Sequence, residues 1–210
     1  MSYISEFLSL RCAGDVINSV GYVKNYEKEI SEAMGVMTEL RKIVLKRPNT
    51  YSVLDLCSGN ALVPILSSFI FPIKKATAID KRERERNWEN VRKFSYLFQD
   101  IYSDNFFNTC EEITDDSPTI LTSCHACGDL ANRSIDIFDC DLRITHLILI
   151  PCCSGNIKHI LPTVLNDKCS QYEKWCYNLY KEIEQCSHKV RMFRDKRITS
   201  PKNIVIVAEK

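Results

Sequence analysis

The 210-residue sequence has no apolar run of 18 residues, which excludes an ordinary transmembrane helix. Met1–Gly14 lacks a basic start and carries only a short broken apolar stretch, so it does not read as a secretory signal. Charge of one sign is also lacking: 28 Lys and Arg oppose 27 Asp and Glu, a net +1. A strongly electrostatic nucleic-acid binder is therefore not indicated, although local basic patches are present. Eleven cysteines are about 5% of the chain, short of the roughly 8–10% of a disulfide scaffold. Their number is odd and no secretory signal accompanies them, so the chain reads as cytoplasmic with mostly reduced thiols. No internal repeat or low-complexity segment is visible. With 45% hydrophobic and 26% charged residues, the composition is that of a globular chain, and its length suits one domain.

Residues 24–46 carry Ile30, Ala33, Met34, Met37, Leu40 and Val44 at helical spacing, ended by Arg47-Pro48-Asn49-Thr50. Residues 1–23 read as a shorter helix and a loop around Gly14 and Gly21. Residues 1–50 are thus expected to form a helical leader or cap, and residues 51–210 the main domain. From Tyr51 the pattern alternates. Strands are expected at 51–57, 76–80, 119–124 and 144–150, with a short one at 98–101. Helices are expected at 61–71, 85–97, 130–138 and 171–186. Residues 190–194 and 203–208 follow each other without a helix and should pair as an antiparallel hairpin. The predicted fold is α/β: a Rossmann-like, seven-stranded, mostly parallel sheet with an antiparallel C-terminal hairpin and a helical N-terminal leader.

In such sheets ligands bind beyond the carboxyl ends of the strands. The first strand runs into Asp55-Leu56-Cys57-Ser58-Gly59-Asn60. Gly59 permits a sharp turn and close backbone approach, and the next helix offers unpaired amides at its N-terminus. The second strand ends in Asp80, near the spacing of about 20 residues expected of an acid that accepts both hydroxyls of a ribose. These features make a nucleoside site. G-x-G-x-x-G is absent, so it is not a dinucleotide fingerprint, and no Gly-Lys-Ser/Thr makes it a phosphate loop.

Val-Leu-Asp-Leu-Cys-Ser-Gly-Asn resembles motif I of class I S-adenosylmethionine-dependent methyltransferases. Ala-Ile-Asp80 resembles their acidic motif II, and Phe98-Gln99-Asp100-Ile101 their motif III. The resemblance implies S-adenosyl-L-methionine as cofactor, with Asp55 ordering the turn and contacting the methionine end. Gly59 would lie under the cofactor, Asp80 would hold the ribose and Asp100 would face the adenine amine. Cys57, Ser58, Asn60, Lys81, Ile101 and Cys124 complete the expected cofactor-binding set. Cys57 and Ala61 depart from the family pattern, standing where glycine is common.

The fourth strand leads into Cys124-His125-Ala126-Cys127-Gly128-Asp129, and the fifth into Pro151-Cys152-Cys153-Ser154-Gly155. His-Ala-Cys-Gly-Asp followed by Pro-Cys-Cys resembles a methyltransferase subgroup with His-x-Cys-Gly and Pro-Cys-Cys motifs, similar to tRNA 2′-O-methyltransferases acting on the acceptor stem. No zinc-finger array precedes residue 51. His125 is the candidate base for a hydroxyl acceptor, with Asp129 as alternative base or orienting partner. Zinc binding by Cys124, Cys127, His125, Cys152 and Cys153 is not expected, because adjacent side chains of a strand point oppositely and Cys152-Cys153 makes a poor clip. A cysteine nucleophile ranks below O-methylation, and the Asn/Asp-Pro-Pro-Tyr/Phe signature of amino methylation is missing. His146 reads as an edge residue, His159 and His188 as surface, Trp88 and Trp175 as core. RNA, with tRNA ribose as a candidate, is the expected substrate and partner, contacted by Lys189, Arg191, Arg194, Lys196, Arg197 and Lys202 or by Arg41, Lys42, Lys46 and Arg47. The alternatives are a small-molecule or protein acceptor, or a degenerate non-catalytic module. No membrane and no obligate protein partner are inferred.

Overall fold

The computed structural model describes residues 1–114, 117–153 and 169–210. His159, Ser154 and Gly155 lie outside the described residues. Three helices come first: α1 (Tyr3–Leu8), α2 (Ala13–Val20) and α3 (Tyr26–Val44). There follow β1 (Ser52–Leu56), α4 (Leu62–Ile70), β2 (Ala76–Asp80), β3 (Phe94–Phe98), α5 (Phe106–Thr114) and β4 (Thr119–Cys124). The chain then forms α6 (Asp129–Cys140), β5 (Ile144–Ile150), α7 (Gln171–Gln185), β6 (Lys189–Arg194) and β7 (Ile204–Glu209).

The seven strands form one sheet in the order β3-β2-β1-β4-β5-β7-β6. β1 to β5 run parallel, and β7 is antiparallel to both β5 and β6. The strand order reverses between β1 and β4, which places a crevice at their carboxyl ends. β1, β2 and β5 are almost wholly buried, as expected of central strands covered by helices on both faces. The period of two divides the core. Val53, Ala78, Ile120 and Ile148 pack toward α1–α4. Leu54, Ile79, Leu121 and Leu147 pack toward α5–α7. α7 opens with a capping box between Ser170 and Glu173, which satisfies two otherwise unpaired amides.

Three local expectations fail. The charged segment 85–97 is not a helix: Lys81–Lys93 is irregular and β3 begins at Phe94. Its few apolar residues are used otherwise. Phe94 to Phe98 pair with β2, Trp88 stacks on Tyr96 at 4.4 Å and meets Phe94 edge-on at 5.5 Å, and Lys93 has φ 61°, a left-handed value that no α-helix interior accepts. The third strand is therefore 94–98 rather than 98–101. At the N-terminus two helices form, and Gly14 lies inside α2 instead of in a loop. α5 was not foreseen from the sequence.

α3 does more than cover the sheet. Gly35 brings it close to the chain near Ile198: an added Cβ would stand 2.8 Å from Ile198 Cδ1. The helix also buries two acids, Glu32 and Glu39, at 1% and 2% exposure. Burying a carboxylate costs several kcal/mol unless it finds a partner. Glu39 finds Arg191 and Lys42. Glu32 points to the crevice. No described helix is long and apolar enough to cross a membrane.

Candidate active site

The turn after β1 is held by a small polar network. Asp55 and Thr122 are register partners on β1 and β4, so their side chains share a face. Thr122 Oγ1 donates to Asp55 Oδ1 at 2.6 Å, and Ser58 Oγ donates to Oδ2. Burial pushes the Asp55 carboxyl up to about 7; the two hydroxyl hydrogen bonds work against that rise, and the nearby Asp80 charge adds to it. Gly59 has φ 57° and its amide donates to Asp80 Oδ2 at 2.7 Å. Cys57 and Ala61, the two departures from glycine, also take left-handed values, 56° and 58°. The backbone therefore follows the path glycine would give it, at a cost of about 1–2 kcal/mol per residue.

Asp80 ends β2. Its carboxylate accepts from the Arg82 amide and Nε at 3.0 and 2.9 Å and from Arg82 Nη2 at 3.1 Å. Burial alone would raise this carboxyl, but Arg82 and the Gly59 amide outweigh it and hold it below its ordinary value. Both oxygens are thus engaged by Arg82, a residue the sequence reading did not single out. A cavity of about 70 Å³ lies here, lined by Cys57, Asp80, Lys81, Asp100 and Ile101. Asp100 is exposed and accepts the Tyr102 amide at 3.0 Å.

A second cavity, of about 250 Å³, opens on the other side of Cys57 and is lined by Glu32, Asp55, Ser58, Asn60, Cys124 and His125. Asn60 Nδ2 donates to Glu29 of α3 at 2.9 Å, and its Oδ1 accepts from Arg86 at 3.2 Å. His125 sits just past β4 with φ 65°, a strained conformation of the kind held at functional sites. Its amide donates to Ile150 O at 2.8 Å. Its Nε2 lies against Glu32 Oε2, and Lys28 Nζ stands 3.7 Å from Glu32 Oε1. Neither His125 Nδ1 nor Nε2 makes a hydrogen bond among the described residues, and Glu32 Oε1 is also without one, so the contact with Glu32 is a charge pairing by proximity.

The sequence reading offered Asp129 as partner to His125. The structure pairs His125 with Glu32 instead. Asp129 is exposed, the first residue of α6. The remaining expected residues divide between the two cavities, with Cys57 common to both. Glu32 lies 93 positions from His125, so no local spacing announced it. The available signal was an acid at 32 and another at 39, seven apart within the apolar stripe of α3.

The thiols of Cys57 and Cys124 are poor nucleophiles. Burial pushes Cys57 up to about 12, and burial followed by the Glu32 charge puts Cys124 well above its ordinary range. The arginines of the expected basic surface are ion-paired: Arg191 pairs with Glu39, Arg194 with Glu173 at 2.7 Å, and Arg197 with Glu6 and Asp195 at 3.7 Å. His146 is buried at 8% exposure on β5 between β4 and β7, not at a sheet edge, and meets Thr145 Oγ1 at 2.9 Å. Trp175 lies in the core on the α5–α7 face, and Trp88 is partly buried against the core on the α1–α4 face, near β3.

Two cavities meeting at the β1 turn, with an acid at the end of β2, fit a nucleoside joined to an amino-acid tail. The methyltransferase-domain family matches residues 26–159, starting at the first residue of α3. The chain belongs to this family. It is an S-adenosylmethionine-dependent methyltransferase with the class I fold. Among solved structures, the plantazolicin methyltransferase BpumL in complex with S-adenosylhomocysteine superposes with a TM-score of 0.52 at 11% identity, over 100% of this chain and 94% of that one. The antibiotic-resistance methyltransferase Kmr gives 0.50 at 11% identity, over 82% and 92%. At this identity the likeness is one of fold. No curated relative matches the sequence.

The methyltransferase has residues that fit its cofactor. At Gly59 the backbone has φ 57°, which side-chain-bearing residues rarely adopt, and an added Cβ would meet Arg82 Nη2 at 3.5 Å, an ordinary contact, so it is the turn conformation under the cofactor that the glycine supplies. When bound, the cofactor supplies an electrophilic methyl group on a sulfonium.

Proposed function

We propose that the methyltransferase transfers its methyl group to a hydroxyl, with His125 taking the acceptor proton and Glu32 orienting and stabilising the resulting imidazolium. The observation that carries this reading is the buried Glu32 carboxylate against His125 Nε2 at the mouth of the larger cavity. A sulfonium donor needs little further activation, so the protein mainly has to position donor and acceptor and remove a proton. In this reading Asp80 and Asp100 hold the adenosine, Asp55 the methionine end, and Gly59 underlies both. Ser58, Asn60, Cys57, Lys81, Ile101 and Cys124 line the path. Helices α1–α3, ahead of the sheet domain that starts at residue 51, cap the cleft and contribute the catalytic carboxylate. Asp129 is left without a role.

For the acceptor we favour an RNA ribose hydroxyl, tRNA included, because the His125-x-Cys127-Gly128 and Pro151-Cys152-Cys153 motifs resemble that subgroup. The ion pairing of Arg191, Arg194 and Arg197 favours a second reading, a small hydroxylated acceptor that needs no broad cationic face. The raised thiols of Cys57 and Cys124 speak against a cysteine nucleophile. The test is transfer of a labelled methyl group to total RNA, to tRNA and to a pool of small phenols and sugars, followed by nuclease digestion. Label in a 2′-O-methyl nucleoside that disappears with His125→Asn supports the RNA reading. Label confined to small acceptors selects the second. Label on a base nitrogen or on protein would contradict hydroxyl transfer.

A further inference from the structure

Three cysteine sulfurs meet where the loops after β4 and β5 cross. Cys127 and Cys152 are joined as a disulfide with Cα atoms 5.5 Å apart, and Cys153 Sγ stands 3.6 Å from Cys152 Sγ. All three sulfurs lie within 4.8 Å of one another. The sequence argument against a metal assumed that Cys152 and Cys153 point to opposite faces of a strand. β5 ends at Ile150, so that alternation does not apply, and the irregular backbone turns both thiols to one side. The loops are tied independently of the sulfurs: the His125 amide donates to Ile150 O and the Gly128 amide to Cys153 O, each at 2.8 Å. The arrangement is therefore set before any ligand arrives.

A disulfide employs two of these sulfurs and leaves the third unexplained. Three thiols on two cross-tied loops are a soft donor set of the kind that selects zinc over magnesium or calcium. We propose that in the reduced chain Cys127, Cys152 and Cys153 bind one zinc-class divalent cation, leaving one tetrahedral position open to solvent. Reduction by a phosphine supplies two electrons to break the Cys127–Cys152 bond; the phosphine leaves as its oxide, water giving up the oxygen and the two protons taken up by the two Sγ atoms. Binding the cation then releases the thiol protons to water. Cys127 is exposed, which gives the ion a way in. The site is separate from the proton-transfer pair but adjoins it, since the Cys127 and Cys152 sulfurs both lie 3.5 Å from His125 O. A bound ion would clamp the His125 loop. Glu32, Cys124 and His125 also cluster within 4.8 Å, but direct contact of His125 Nε2 with Glu32 leaves no room for an ion between them.

The test uses the full chain, reduced with a phosphine, freed of metal and titrated with zinc against a chromophoric chelator. One equivalent is expected to bind, cobalt should give a thiolate charge-transfer band, and zinc should protect Cys127, Cys152 and Cys153 from alkylation as mapped by peptide mass. Cys153→Ser should weaken zinc binding by at least about 10-fold, whereas Cys140→Ser, at an exposed thiol, should not change it. Alkylation mapping on the unmutated chain decides the matter even where Cys153→Ser folds poorly. Three results would each overturn the proposal: no zinc bound by the reduced chain, protection of other cysteines in place of these, or a Cys127–Cys152 disulfide that survives the reductant.

Discussion

Asp55 offers the sharpest physical prediction. It is 2% exposed, and its carboxyl stands at about 7 against 3.8 for the free side chain. A carboxyl raised on folding means that the folded state holds the proton more tightly than the unfolded chain. Stability from this group is complete below about pH 4 and is lost as pH rises through about 7. The difference corresponds to about 4 kcal/mol. Asp55→Asn removes the ionisation but forces one of the Ser58 and Thr122 hydroxyls to give up its acceptor, a loss of about 1 kcal/mol. The variant is therefore expected to be about 1 kcal/mol less stable than the parent at pH 4 and about 3 kcal/mol more stable at pH 8. Urea denaturation across that range measures the crossing. Cofactor binding should couple to the same proton. The cavity at Asp55 also holds Lys28, Glu29 and Glu32, and the cationic methionine end of the cofactor favours the ionised carboxylate. Titration calorimetry near pH 6 in two buffers of different ionisation enthalpy should show up to one proton released per cofactor bound. A stability difference that stays within about 1 kcal/mol from pH 4 to 8, or proton release that Asp55→Asn leaves intact, would refute the reasoning.

Other outcomes follow from the same geometry. His125→Asn, which tolerates the left-handed backbone, should keep cofactor affinity and melting temperature while methyl transfer falls by about 10²–10⁴; Glu32→Gln should lower the transfer rate in the same way, and a loss confined to KM would assign it to substrate binding. Arg82→Ala removes a half-exposed competitor at Asp80, so cofactor affinity should tighten by up to about 5-fold; weaker binding would show that Arg82 holds the cofactor instead. Ala61→Gly relieves a left-handed alanine and should stabilise the protein by about 1 kcal/mol, read by chemical denaturation; destabilisation would mean that the methyl group's packing outweighs the strain.

Much of the fold could be read from the chain because its central strands are continuous apolar runs between clear turn residues. The turn at Gly59 and the acid at Asp80 were legible for the same reason: strand, glycine and acid follow one another within one βαβ unit. The segment 85–97 misled because alternating Arg and Glu suit a helix surface, while the pairing of Phe94–Phe98 with β2 depends on residues 18 positions away. The place of Glu32 in the apolar stripe of α3 marked an acid that turns inward, but nothing local could say that its partner is His125, 93 positions away on another element. The basic cluster at 189–202 looked available only because Glu39, Glu173 and Glu6 lie elsewhere in the sequence. At the cysteine rim the strand itself was legible as 144–150 and β5 has those bounds, but the alternation rule was carried past its end onto Cys152 and Cys153, where the backbone is no longer a strand.

The most direct test of the central claim is calorimetric titration of the reduced 210-residue chain with S-adenosylhomocysteine, with Asp80→Ala and His125→Asn in parallel. The expected result is micromolar binding at one site, weakened about 10- to 100-fold by Asp80→Ala, as loss of hydrogen bonds to a charged group implies, and unchanged by His125→Asn. Absence of binding by a folded sample, or binding indifferent to Asp80, would contradict the placement of the cofactor in this cleft.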